Sequence, residues 1–152
     1  MSLKKKNYII IRQAFAKELM DFCNVSLKIK RNAMHVLKTR NNFFGPLAKD
    51  IENWFGCWND PQAPGHFSAY GDNVMESLLL MAHPLMEERT KMKLHPCYAY
   101  ARIYEKGAEL KKHTDRASCE ISCTVNMGGD MWPIYLKDKK KKIKVELKCG
   151  DM

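Results

Sequence analysis

The spacing of apolar residues changes near Leu94, and this change restricts the fold more than any other feature of the chain. Ahead of it, Phe15, Leu19, Phe22, Cys23 and Leu27 recur at helical spacing, with Lys17, Glu18, Asp21 and Lys28 on the other side. Such a stripe predicts an amphipathic helix from about Gln13 to Leu37. A second helix is expected to begin at Asp72 or Asn73, whose side chains can accept the orphan N–H groups of a first turn. It carries Val74, Leu78, Met81, Ala82 and Leu85, and Pro84 should kink or end it. Beyond Leu94 the spacing is that of strands: Cys97–Tyr104, Ala117–Met127, Trp132–Leu136 and Ile143–Leu147. Gly128-Gly129 and Asp138–Lys142 supply the turns, and Tyr8–Ile11 is a further short strand. Helices followed by antiparallel strands predict an α+β fold, with helices packed on one face of a sheet or barrel.

Between the two helical stretches, Asn41 to Asp72 is rich in Gly, Pro, Asn and aromatics. Trp54-Phe55-Gly56-Cys57-Trp58-Asn59-Asp60-Pro61 predicts an ordered loop packed by its own large side chains. At 152 residues, with 45% hydrophobic and 28% charged, the chain suits one globular domain rather than two or a disordered segment. No apolar run is long enough to span a bilayer, and Ile9-Ile10-Ile11 is too short for the core of a signal peptide. A cytoplasmic protein is expected. The six cysteines form no Cys-x-x-Cys pair, so free thiols are expected rather than a zinc ribbon, a redox pair or disulfides. The net charge of +9 raises the question of nucleic acid. Yet Lys4–Lys6 and Lys139–Lys142 have no interleaved aromatics, and the second run reads as a solvated hairpin tip.

Chemistry is concentrated in Tyr104-Glu105-Lys106-Gly107-Ala108-Glu109-Leu110-Lys111-Lys112-His113-Thr114-Asp115. In an extended segment, His113 and Asp115 point to one face, so an imidazole and a carboxylate converge as neighbouring ligands of a divalent metal must. One such pair with a distant His makes a facial triad, which leaves positions open for a bidentate cosubstrate and oxygen. Alone, His-x-Asp is a weak signal that an exposed turn with a His–Asp contact also satisfies. The strand expected after it alternates Cys119, Ile121, Cys123, Val125 and Met127 with Glu120, Ser122, Thr124 and Asn126. That alternation fits a barrel wall around a polar ligand and equally an edge strand with one wet face. Tyr98, Tyr100, Arg102 and Tyr104 share a face as well, as a pocket lining or as a surface aromatic ladder.

In combination these segments are specific. Tyr98-Ala99-Tyr100-Ala101-Arg102-Ile103-Tyr104 with Gly107, His113-Thr114-Asp115-Arg116, Ser118-Cys119-Glu120-Ile121-Ser122, Asn126-Met127-Gly128-Gly129-Asp130 and Trp132-Pro133-Ile134-Tyr135-Leu136 follow one another in order. From Pro96 to Leu136 the chain resembles the double-stranded β-helix of iron(II)/2-oxoglutarate oxygenases, most of all the prolyl-4-hydroxylase-like branch with its marine phage and metagenomic members. Trp58-Asn59-Asp60-Pro61 and Met75-Glu76-Ser77-Leu78-Leu79-Leu80 resemble that family's amino-terminal support.

The resemblance implies a helical support over residues 1–94 and the first half of a jelly-roll, cupin-like β-helix over residues 95–152. It implies His113 and Asp115 as iron ligands, with Tyr104 and Thr124 at the 2-oxoglutarate pocket. Leu110 stands where many prolyl hydroxylases carry another tyrosine. It further implies hydroxylation of a peptide or small molecule with molecular oxygen, coupled to conversion of 2-oxoglutarate to succinate, with ascorbate as an accessory reductant. Neither a membrane nor nucleic acid is an expected partner. In the family a turn like Gly150-Asp151 leads towards the second iron-binding His and a basic residue for the cosubstrate. The chain is expected to stop before both, with its last strands missing, and to be inactive in isolation. His35, His66, His83 and His95 match no ligand position. Two other readings remain: a non-catalytic module whose basic surface holds nucleic acid or an acidic partner, and a cupin-like metal site without 2-oxoglutarate chemistry. The latter lacks the histidine-rich motif usual for cupins.

Overall fold

A computed structural model describes residues 7–39, 55–138 and 141–152 of the chain. The Lys4–Lys6 run, the first part of the aromatic loop including Trp54, and Lys139 and Lys140 lie outside the described residues. In chain order the elements are α1 (Lys17–Thr39), β1 (Phe67–Tyr70), α2 (Asn73–Thr90), β2 (Tyr100–Ile103), β3 (Ile134–Asp138) and β4 (Lys141–Val145). Helix and strand are mixed, as the α+β expectation has it. The described strands pair only as two antiparallel sheets, β1–β2 and β3–β4, and among the described residues no jelly roll is formed. None of the described helices is long and apolar enough to cross a membrane. The chain divides into two compact units, one of Met1–Asn24, Pro84–Leu94 and Ile121–Met152, the other of Val25–His83 and His95–Glu120.

The first unit is organised by Asp151. Its carboxylate is removed from water and surrounded by donors: Gln13 N–H at 2.9 Å, Lys148 N–H at 2.8 Å and the Arg12 guanidinium at 2.5 Å. Burial alone would raise the Asp151 pKa, but these donors hold it below the ordinary carboxylate value. They also account for the late start of α1. Gln13 has φ +49° and gives its N–H to Asp151, so the helix expected from Gln13 begins at Lys17. Ile11 and Met152 exchange both backbone hydrogen bonds, at 2.8 and 2.9 Å, and Phe15 N–H meets the Gly150 carbonyl. Gly150 has φ +83°, and a Cβ there would run into the Phe15 carbonyl. Tyr8–Ile11 is therefore no strand; it contributes this one mutual pair. Met20, Cys23, Val145, Leu147 and Met152 form the buried apolar part.

Ala117–Met127, expected as a strand, has no ladder. Asn126 explains its end. Its N–H and C=O bond to Asp151 and Gly150, its Nδ2 donates to the Leu147 carbonyl, and its Oδ1 accepts from Gly128 N–H. Leu147, Gly150 and Asp151 lie in the loop after β4 and Gly128 in the turn that follows Asn126, so none of them belongs to a neighbouring strand. The hairpin expected across residues 138–142 is present, with Asp138 opposite Lys141 and Ile134 opposite Val145.

In the second unit, Leu27, Met34, Phe67, Ala69, Met75, Leu78, Ala82 and Ala101 are buried. The aromatic loop is ordered where it is described. Cys57 and Ser68 exchange backbone hydrogen bonds at 2.9 and 2.8 Å, and Trp58 meets Phe67 edge to face at 5.0 Å. Gly56, at φ +108°, lies so close that a Cβ would come within 2.5 Å of Phe67 Cζ and 2.6 Å of the Ser68 carbonyl. Asp72 caps α2 as expected, accepting from Val74 N–H at 3.0 Å and Met75 N–H at 3.2 Å, and it pairs with Lys30. Burial opposes ionisation of Asp72, but Lys30 and the two helix N–H groups keep its pKa low. Glu76 reaches the Ala99 N–H at 2.8 Å, tying α2 to the start of β2. Pro84 does not stop α2, which continues to Thr90. Pro84 is exposed and so is Leu80, the residue one turn earlier, so water can reach the carbonyl that proline leaves without its donor.

Gly56→Ala combines a positive φ with a backbone clash and should cost about 2 kcal/mol or more in urea unfolding. For Asp72 and Asp151 the folded pKa lies below the unfolded one. Their stabilisation is present above pH about 4 and is lost as pH falls through the lowered values. Asp72→Asn and Asp151→Asn should each flatten the acid limb of stability against pH, and an unchanged slope would contradict this.

Candidate functional site

His113 and Asp115 lie on an irregular segment of the second unit, fastened where Lys111 N–H donates to the Gln62 carbonyl at 2.9 Å. His113 Nδ1 is 2.7 Å from the Lys111 carbonyl, which can only accept, so Nδ1 carries the proton. Nε2 then faces Asp115 Oδ1 at 3.6 Å. In the neutral ring both facing atoms are acceptors, as the neighbouring ligands of one metal ion would be. The convergence expected from an extended segment thus occurs without a strand.

Two neighbouring donors on an octahedral ion with bonds of ~2.1 Å stand about 3 Å apart. The observed separation is slightly wider, and Asp115, with half its side chain exposed, can close it by rotation. The carbonyl on Nδ1 also presents the Nε2 lone pair and fixes the ring, a common support for a metal-bound histidine. The pair therefore fits as two adjacent ligands. Among the described residues, no three His, Cys, Asp or Glu side chains gather into a metal-binding group, so a three-residue triad is not formed by them.

Tyr104 and Thr124, expected at a cosubstrate pocket, fall in different units. Thr124 is exposed on a segment without regular structure. Tyr104 is half-buried beside His66, with ring centroids 6.4 Å apart. Burial raises its hydroxyl pKa, while the Arg102 guanidinium works in the opposite direction.

The best-formed polar centre of this unit is one that sequence reasoning missed. Asp60 is buried, and its Oδ2 accepts from Arg102 Nε at 2.6 Å and from the Tyr100 hydroxyl at 3.0 Å. Its Oδ1 accepts from Gln62 N–H at 2.9 Å, and Arg102 extends to Gln62 Oε1 at 2.5 Å. Burial pushes the Asp60 pKa up, but the Gln62, Arg102 and Tyr100 donors hold it down. The alternation Tyr98, Tyr100, Arg102 was the legible half of this centre. Asp60 approaches from the aromatic loop, with no spacing rule to join it to Arg102.

The six cysteines are free thiols. Compared with protein-family models, curated proteins and solved structures, the chain has no match.

Arg102→Ala would leave the Asp60 carboxylate buried and unpaired, and should cost about 3 kcal/mol in chemical denaturation. His113→Ala, at an exposed position, should stay within about 0.5 kcal/mol of the parent. The reverse order would mean that the His113–Asp115 pair is the structural one.

Proposed function

We propose that this chain is part of an iron(II)- and 2-oxoglutarate-dependent oxygenase of the prolyl-4-hydroxylase-like kind, with His113 and Asp115 as two of the iron ligands. The observation that carries this reading is the 3.6 Å approach of His113 Nε2 to Asp115 Oδ1, with Nδ1 tied to the Lys111 carbonyl. The ordered run of motifs from Tyr98 to Leu136 supports it from the sequence side. In this reading β2 corresponds to an opening strand of a double-stranded β-helix, with Tyr104 at the cosubstrate just beyond it.

Iron(II), when bound, supplies the redox chemistry by which 2-oxoglutarate and oxygen hydroxylate an unactivated carbon. The residues have simpler tasks. Asp115 offers an anionic oxygen, His113 offers the Nε2 lone pair, and the Lys111 carbonyl keeps the imidazole in the tautomer that can bind. The substrate is a peptide or small molecule, and the protein works in the reducing cytoplasm, where its thiols persist.

Manganese(II), a paramagnetic substitute for iron(II), should broaden the NMR signals of His113 and Asp115 first. 2-Oxoglutarate should tighten that binding by filling two open positions. His113→Ala and Asp115→Ala should each abolish the effect without unfolding the chain. Broadening centred elsewhere, or equal in parent and variants, would remove the reading.

A further inference from the structure

The β1–β2 sheet has one buried face, carrying Phe67, Ala69 and Ala101, and one that carries tyrosine and arginine. On the second face Tyr70 pairs directly with Tyr100 across the strands, and Ser68 pairs with Arg102. The Tyr70 ring lies 4.8 Å from that of Tyr98 and 6.3 Å from that of Tyr100, making a ladder of three rings. Tyr70 is 48% exposed and Tyr100 41% exposed. Rings of this size left half in water on a sheet face have area to offer a flat partner.

The charge around the ladder is arranged for an anion. Arg116 is exposed and holds its guanidinium 5.3 Å over the Tyr98 ring, and among the described residues it has no carboxylate partner. Arg102 stacks on Tyr100 at 4.6 Å, and its charge neutralises Asp60, the carboxylate that lies against this face. Lys111 and Lys112 are exposed on the segment leading to Arg116. The chain as a whole carries +9. Stacked rings with guanidinium groups beside them are what single-stranded nucleic acid requires: bases lie on the rings and phosphates meet the cations.

We infer that the Tyr70–Tyr98–Tyr100 face, with Arg116 at its edge, binds single-stranded nucleic acid by stacking bases on the exposed rings. The inference stands independently of iron binding at His113 and Asp115. A polyanion attracted by net charge alone would not need bases, and a proline-rich peptide would use the rings without phosphates. These differences decide the experiment.

Fluorescence anisotropy should be measured with labelled single strands of about 12 nucleotides, with an abasic strand of the same length and with a proline-rich peptide. Saturable binding of the base-containing strand is expected, weakening as salt rises because phosphate contacts release counterions. The abasic strand should bind roughly tenfold more weakly, and Tyr70→Ala should lose a similar factor. Tyr70→Phe, which keeps the ring, should retain the parent affinity, and Arg116→Ala should reduce the salt dependence. Circular dichroism would confirm that each variant is folded. Equal affinity for abasic and normal strands, unchanged binding in Tyr70→Ala, or binding of the peptide alone would each overturn the inference.

Discussion

A carboxylate taken out of water must be surrounded by donors, and Asp60 imposes that requirement on the second unit. Arg102 and Tyr100 come to it from β2, while Gln62 comes from its own loop. Meeting Asp60 fixes which way β2 presents its side chains. Tyr100 and Arg102 must then share one face of the sheet, and Ala101 must point to the other, where it is buried. The aromatic face and the apolar core are two consequences of the same ion pair.

Asp72 and Asp151 repeat the device locally. Asp72 turns the orphan N–H groups of α2 into a cap and adds Lys30, while Asp151 gathers Gln13, Lys148 and Arg12. In each case burial opposes ionisation and hydrogen bonds outweigh it, so the charge persists where an unpaired carboxylate would be neutral. These centres specify geometry more than they add raw stability, because an apolar replacement of equal volume would avoid the desolvation cost.

The His113–Asp115 pair differs in kind. It is partly exposed, its imidazole rests on the Lys111 carbonyl, and it lies on a segment with no ladder to stiffen it. A structural ion pair gains little in such a place.

Much that is local was legible in the sequence. Helical spacing from Phe15 to Leu27 located α1, Asp72 marked the start of α2, and the Asp138–Lys142 segment marked the hairpin of β3 and β4. The interaction of His113 with Asp115 was readable too, since two residues apart is a local relation. The errors share one cause. Gln13 surrendered its place in α1 to a carboxylate 138 residues away. Asn126 gave its backbone groups to the Gly150–Asp151 turn instead of a ladder, and α2 passed Pro84 because that side of it is wet. The sequence by itself determined the periodicity, the caps and the approach of His113 to Asp115, because these depend on neighbours a few residues apart. Tertiary structure alone decided that Asp60 would neutralise Arg102 and that Tyr70 would join Tyr98 and Tyr100. Those encounters bring together residues distant in the chain, and the burial that makes them obligatory exists only once the chain has folded.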